Sequence, residues 1–213
     1  MIWAIVVAAG SGTRFGAAKQ FATLQGRSVA ARAIDTSRAV CDGVVLVIPA
    51  TQDLAGLPDD LQADRIVHGG DSRAASVRAG LEAVPDDAEV IVVHDAARPL
   101  ASPALFEAAV AAVRAGAAGA ICAVAVTDTI KRVDHAGRVL ATLDRSELVA
   151  VQTPQAFDAA VLRRAHRSGA EATDDAALVE LLGEAVVVVA GDPTNVKLTL
   201  PGDLARAENW LST

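Results

Sequence analysis

At 213 residues the chain has the length of one α/β domain, long enough to bury a full core without disulfides or metals. Its net charge of −7 excludes the broad basic surface that nucleic-acid binding needs, so any anion site must be locally basic. The mean hydropathy is positive, +0.36, because Ala, Val and Leu are spread along the chain. The longest apolar stretch, 117–126, is broken by Gly119 and falls short of the roughly 18 to 20 residues that span a bilayer, so no membrane partner is expected.

Taken in chain order, residues 2–8 read as a buried strand. The apolar start resembles a signal peptide, but no Lys or Arg precedes it and it runs directly into a glycine-rich loop. A helical pattern over 29–40 leads to a strand at 43–48, a helix at 74–83 to a strand at 90–94, and a helix at 103–115 to a strand at 119–126. These strands are continuously apolar, as a parallel sheet covered on both faces requires. Short β-prone runs at 129–133 and 139–143 then flank Asp134-His135-Ala136-Gly137, which predicts a projecting hairpin. The chain returns through Gln152-Thr153-Pro154-Gln155 to helices at 159–167 and 175–182, a strand at 185–190 and a last helix at 201–211. The expected fold class is α/β, a mostly parallel twisted sheet flanked by helices with a β-hairpin arm. Ligands should bind at the carboxyl ends of the strands. Cys41 and Cys122 are isolated, with neither a disulfide framework nor metal-ligand spacing, and are expected to be packed thiols in a reducing cytoplasm.

The loop Ala8-Ala9-Gly10-Ser11-Gly12-Thr13-Arg14-Phe15-Gly16-Ala17-Ala18-Lys19 follows the first strand. Its small residues let backbone N–H groups approach a phosphate chain, which Arg14 and Lys19 can clamp. Phe15 stands where the third glycine of a dinucleotide fingerprint belongs, and no G-K-[ST] follows as a Walker A loop requires. A plain strand-to-helix turn would explain the glycines alone, but not two cations in the same loop.

The loop resembles the signature of nucleotidyltransferases that couple a sugar or polyol phosphate to a nucleoside triphosphate. Six further blocks extend the likeness: Gly69-Gly70-Asp71-Ser72-Arg73-Ala74-Ala75-Ser76-Val77, Val93-His94-Asp95-Ala96-Ala97-Arg98-Pro99, Asp128-Thr129-Ile130-Lys131, Thr153-Pro154-Gln155, Thr173-Asp174-Asp175 and Asn195-Val196-Lys197-Leu198-Thr199. In this order they resemble the 2-C-methyl-D-erythritol 4-phosphate cytidylyltransferases. The resemblance implies a Rossmann-like nucleotidyltransferase fold, one domain over 1–213, with a dimerisation arm at about 127–150.

By the same resemblance, Ala8, Ala9, Gly70, Asp71 and Ser76 surround the cytosine of CTP, and Gly10 and Gly12 line its phosphates. Capping of a helix by Asp71 or Ser72 is the plainer reading of that second loop. Asp95 ends a buried strand; an ion pair with Arg98 is its bland role, while orienting hydroxyls or holding a water on a metal are functional ones. The resemblance favours substrate contact at Asp95 and Ala96. His94 is read as a satisfied structural group. Thr129, Thr173, Arg145 and Lys197 are implied to contact the acceptor, with Arg145 reaching across from the partner's arm in a homodimer. By local chemistry alone Arg145 and Lys197 would be surface cations. Ala18 stands where the family usually has Pro, and Val149 where an aromatic is often found; both bear on loop rigidity and affinity.

The expected reaction is in-line attack of an acceptor phosphate oxygen on the α-phosphorus of CTP, expelling pyrophosphate. A phosphate monoester is already anionic at neutral pH, so no enzyme base is needed. Arg14, Lys19, Arg145 and Lys197 form the expected catalytic set, with Mg²⁺ carried mainly on the CTP phosphates and no dedicated protein metal site. Ribitol 5-phosphate cytidylyltransferase is the nearest alternative, disfavoured by the small Ala97. A non-catalytic nucleotide-binding module would need fewer acceptor-side cations, and a dehydrogenase would need the missing glycine.

Overall fold

The computed structural model describes residues 1–10 and 18–212. In chain order the elements are β1 (Ile2–Val7), β2 (Thr23–Leu24), β3 (Arg27–Ser28), α1 (Val29–Arg38), β4 (Gly43–Ile48), β5 (Arg65–His68), α2 (Arg73–Ala83), β6 (Val90–Asp95), α3 (Pro103–Arg114), β7 (Gly119–Ala125), β8 (Lys131–Val133), β9 (Val139–Thr142), β10 (Val149–Asp158), α4 (Ala159–His166), α5 (Asp175–Glu180), β11 (Val186–Ala190) and α6 (Gly202–Leu211). Seven strands form one sheet in the order β11-β7-β10-β6-β1-β4-β5, and β8 and β9 pair separately as the arm.

Alternation along the strands decides which helix each side chain meets. On β1, Ile2, Ala4 and Val6 face a core with Ala30, Ala33 and Ile34 of α1 and with Phe106, Ala109 and Val110 of α3. Trp3 and Ile5 face the opposite core, built with Val77 and Leu81 of α2, Leu162 of α4 and Leu178 and Val179 of α5. Strands buried on both faces therefore read as unbroken apolar runs. Gly80 lets α2 lie close on the sheet, since a Cβ there would come within 2.6 Å of Ile5 Cγ2. Helix starts are set locally: Ser28, Ser72, Asp158 and Asp174 each accept a hydrogen bond from the first turn of the helix they precede, and Pro103 begins α3. Of the two capping candidates at α2, Ser72 takes the role, its Oγ lying 3.0 Å from Ala75 N.

Three elements depart from the sequence reading. The stretch 152–155, read as a return toward helices, is the middle of β10, which runs antiparallel between β6 and β7. Proline and three polar residues argue against an interior strand. The register instead shifts between Val151 and Gln155, and Gln152, Thr153 and Gln155 are buried against tertiary partners. Arg65–His68, unread as a strand, adds edge strand β5 parallel to β4. The β-like stretch 195–199 pairs with no strand; it is an extended strap held by Leu198 N donating to Ala97 O at 2.8 Å.

The antiparallel direction of β10 has a positional consequence. Its first residues lie beside the carboxyl ends of β6 and β7, with Val149 opposite Ala125. The arm that joins β7 to β10 therefore projects from the same sheet edge as the loops after β1, β5 and β6. No described helix is long and apolar enough to cross a membrane.

Candidate active site

The ends of β1 and β6 are where the sheet order reverses, because β1 is followed in sequence by β4 on one side and bordered by β6 on the other. Past this edge the backbones stay paired: Ala8 N donates to Val47 O at 2.7 Å and Ala96 N to Val7 O at 3.0 Å. Those two N–H groups are already spent, which leaves only the carbonyls and methyl groups of Ala8 and Ala96 for any ligand contact. Ala9, Gly69 and Ser76 meet at the neighbouring loop, where a Cβ on Gly69 would lie 2.7 Å from Ala9 Cβ and 2.6 Å from Ser76 Oγ. Ser76 Oγ donates to Ser72 O at 2.8 Å, which fixes the loop carrying exposed Gly70 and Asp71 at the start of α2. The five expected cytosine-side residues thus lie on the loop after β1, on the loop before α2 and in the first turns of α2.

Asp95 is the centre of a charged cluster. Strand alternation directs it to the α2 and α5 side of the sheet, opposite to His94. There Oδ2 accepts from Lys197 Nζ at 2.6 Å and Oδ1 from Arg73 Nε at 3.4 Å. Burial alone would push the Asp95 carboxyl up, but Arg73 and Lys197 outweigh it and hold the group well below the usual carboxylate range. Arg73 is shifted the other way: desolvation would lower it, and Asp175 and Asp95 raise it further above its ordinary value.

The Asp95–Arg98 ion pair of the bland reading is not formed. Arg98 instead donates through Nη1 to Asn195 O at 2.7 Å and through Nη2 to Val151 O at 3.4 Å, tying the strap to β10. Backbone carbonyls capture the guanidinium because the strap passes directly over the end of β6. The same strap receives Lys19, whose Nζ donates to Leu198 O at 2.6 Å, one residue from Lys197. Buried Gln20 donates to Gly10 O at 3.3 Å. Arg14 and Gly12 lie outside the described residues.

His94 packs on Phe106 with ring centroids 5.0 Å apart. Thr153 Oγ1 accepts from Asp95 N at 3.0 Å and lies 3.1 Å from His94 Nδ1, so its proton is directed to that nitrogen, while His94 Nε2 donates to Arg98 O at 3.3 Å. Burial lowers the His94 pKa to about 4, which leaves a neutral ring locked by two bonds. This is a structural histidine, in agreement with the sequence reading.

Among the described residues the remaining expected acceptor residues form no hydrogen bond or ion pair with Asp95 or Lys197. Thr173 is exposed in the loop before α5, and Thr129 is exposed at the base of the arm. Arg145 Nη1 donates to Thr127 O at 2.6 Å, and among the described residues it forms no hydrogen bond or ion pair with the Asp95 group. Two residues were missed by the sequence reading. Arg73 and Asp175 are bonded at 2.7 Å although 102 positions apart, and Asp175 is fully buried. Both stood within recognised blocks, but nothing local tells the buried carboxylate of Asp175 from the half-buried Asp174 cap beside it.

Known proteins with this arrangement agree with each other. Residues 2–213 match the family model of IspD, 2-C-methyl-D-erythritol 4-phosphate cytidylyltransferase. The 2-C-methyl-D-erythritol 4-phosphate cytidylyltransferase of Nocardia farcinica is 45% identical over 214 residues, covering 98% of this chain and 93% of that protein. Its counterpart in Rhodococcus opacus is 47% identical over 214 residues, with 96% and 92% covered. The crystal structure of 4-diphosphocytidyl-2C-methyl-D-erythritol synthase from Anaerococcus prevotii superposes with a TM-score of 0.86 at 31% identity, covering 100% of this chain and 99% of that one. With a full-length family match and this sheet-edge cluster in place, the chain belongs to the IspD family of cytidylyltransferases.

Proposed function

We propose that this chain transfers CMP from CTP to 2-C-methyl-D-erythritol 4-phosphate, releasing pyrophosphate and forming the CDP-linked polyol used in non-mevalonate isoprenoid synthesis. The observation that carries this reading is the convergence of Lys19 and Lys197 on one strap at the carboxyl end of β6, beside Asp95. A site that joins two polyanions needs fixed cations for both, and here one cation from the phosphate loop and one from the acceptor block are attached within two consecutive residues.

In this reading Arg14 and Lys19 hold the triphosphate and offset charge as it spreads over the α-phosphate and the leaving group. Lys197 holds the acceptor phosphate in line, with Arg145 of a second subunit completing that half. The acceptor oxygen is anionic at neutral pH because the second pKa of a phosphate monoester is near ~6. No side chain has to remove a proton, which suits a site whose one adjacent imidazole is already bonded at both nitrogens.

Magnesium fits as a companion of the nucleotide. Among the described residues no three His, Cys, Asp or Glu side chains gather as a metal cage, and Asp95 is committed to two cations. Such a donor set suits a hydrated ion held mainly through the CTP phosphates, which the loop 8–19 would position. Bound there, it would supply further neutralisation of the triphosphate.

A homodimer with exchanged arms accounts for the apolar side chains displayed by the hairpin, including Val139 at 61% and Leu140 at 58% exposure. A cytoplasmic setting suits Cys41 and Cys122, both unbonded and buried, with burial pushing each thiol up to about 12. Pyrophosphate release measured for CTP, UTP and ATP against methylerythritol 4-phosphate and ribitol 5-phosphate tests the assignment. Activity is expected with CTP and methylerythritol 4-phosphate; preference for ribitol phosphate overturns the acceptor, and activity only with UTP or ATP overturns the base.

A further inference from the structure

Behind the Asp95–Lys197 pair lies a second row of ionic contacts that the reaction itself does not use. Arg73, at the first turn of α2, places Nε on Asp95 Oδ1 and Nη1 on Asp175 Oδ2 at 2.7 Å. Asp175, at the first turn of α5, has its other oxygen 3.0 Å from His166 Nε2 at the end of α4. The adjacent Asp174 caps α5 through Ala177 N and accepts from Gln155 Nε2 on β10 at 2.9 Å. The carboxylate of Asp175 is 1% exposed and the His166 ring 2%. The side chains that follow, Arg73, Asp95 and Lys197, are 24%, 11% and 43% exposed. The row runs from the buried His166–Asp175 pair to the partly exposed Lys197.

We infer that Arg73, held from behind by Asp175, is a positioning residue for Lys197: by occupying Oδ1 of Asp95 it leaves Oδ2 aimed at the ammonium and so fixes Lys197 on the acceptor side. The inference rests on the reading of Lys197 as the acceptor-phosphate lysine. A lysine head on a four-carbon stem has no preferred direction of its own, whereas a planar guanidinium can hold two carboxylates in fixed relation. Asp95 N is already held by Thr153 Oγ1. With backbone and Oδ1 both held, Asp95 presents one remaining oxygen in one direction. Two carboxylates and two cations also balance, so the buried Asp175 is compensated without drawing on Lys197.

A purely structural staple between α2 and α5 would use the same bond, and three measurements separate the two roles. The first is the split between the KM values for methylerythritol 4-phosphate and CTP in Arg73→Lys, which keeps the charge but cannot fork across both carboxylates. The acceptor KM is expected to rise about tenfold or more while the CTP KM stays within about twofold. The double variant Arg73→Gln/Asp175→Asn removes both charges, leaves no unpaired buried carboxylate, and should fold and show the same split. The second is a double-mutant cycle with Lys197→Met, in which adding Arg73→Lys should raise the acceptor KM no further. The third does not depend on turnover: the ¹H–¹⁵N signal of the Lys197 ammonium, assigned by its loss in Lys197→Met, should be resolved in the wild-type protein and broadened away in both Arg73 variants. Equal rises in both KM values, additive effects in the cycle, or an unchanged ammonium signal in folded variants overturn the positioning role. A wild-type protein that transfers no CMP yet shows the ammonium effect overturns the functional reading and supports this one.

Discussion

The edge of the sheet at Asp95 and the hairpin arm both carry a cation expected to meet the acceptor, and they hold it in opposite ways. Lys197 is fixed by Asp95, which is itself tied to Arg73 and Thr153, and the strap beneath it is bonded to Ala97, Lys19 and Arg98. Arg145 sits on an exposed 3₁₀ turn, bonded to one carbonyl at the base of the arm. Around it Val133, Val139, Leu140 and Leu143 are exposed. Among the described residues Lys197 is thus held by bonds within a single chain, while Arg145 is presented outward on a two-stranded ribbon that has little core of its own. The difference suits a composite site in which each chain supplies a rigid nucleotide half and lends an arm.

The comparison can be broken first at the rigid half. Lys19→Ala should lower kcat by two to three orders of magnitude, about 3 to 4 kcal/mol of transition-state stabilisation, in steady-state pyrophosphate release. Near-normal turnover in that variant would show that the nucleotide half lies elsewhere. The arm is tested by mixing Arg145→Ala with Lys19→Ala subunits. If Arg145 acts across the dimer, half of a 1:1 mixture is heterodimer with one intact site, and activity should recover to about a quarter of wild type. No recovery would place Arg145 in the same chain's site.

A smaller effect is expected from the pH dependence of stability on the rigid side. The folded pKa of His94 is lowered by burial to about 4, so the stability due to its neutral form is full above the unfolded value near 6.5 and is lost as pH falls toward 4. Urea unfolding of the wild type should therefore lose about 2 kcal/mol from this group between pH 7 and pH 5, and His94→Gln should flatten that slope. An unchanged slope would mean that burial does not hold the ring neutral. The smallest effect belongs to the arm: Val139→Thr/Leu140→Thr should change the unfolding free energy of the isolated chain by only ~0.5 kcal/mol or less, because exposed side chains bury nothing there. The same variant should weaken self-association in sedimentation experiments, and an unaltered dimer would remove the arm's apolar face from the interface.

How far each half could be foreseen follows the same division. The nucleotide side was legible because its signals are local: an apolar strand, small residues in the next turn, a Ser before α2 and a Gly where Ala9 and Ser76 close in. The arm was legible from two short β-prone runs about a polar turn. The core of the acceptor side was legible only in part. Lys197 stood within a recognised block, but its partner Asp95 lies 102 positions away, and Arg98, beside Asp95 in sequence, turns to the strap instead. β10 was hidden because Gln152, Thr153, Pro154 and Gln155 have neither strand propensity nor alternation, and their burial is compensated by Asp192, Asp95, His94 and Asp174.

By itself, then, the sequence determined the alternation of strands and helices, the sheet edge where the expected site residues gather, and the two loops that carry the expected nucleotide-side residues, since each depends on periodicity and on residues within a few positions of one another. The tertiary structure alone decided which charges pair, that a strand rich in polar residues sits between β6 and β7, and that Arg73 and Asp175 stand behind Lys197. Those outcomes depend on the order in which strands join the sheet, which brings together side chains from distant parts of the chain and lets a buried charge find its counter-charge.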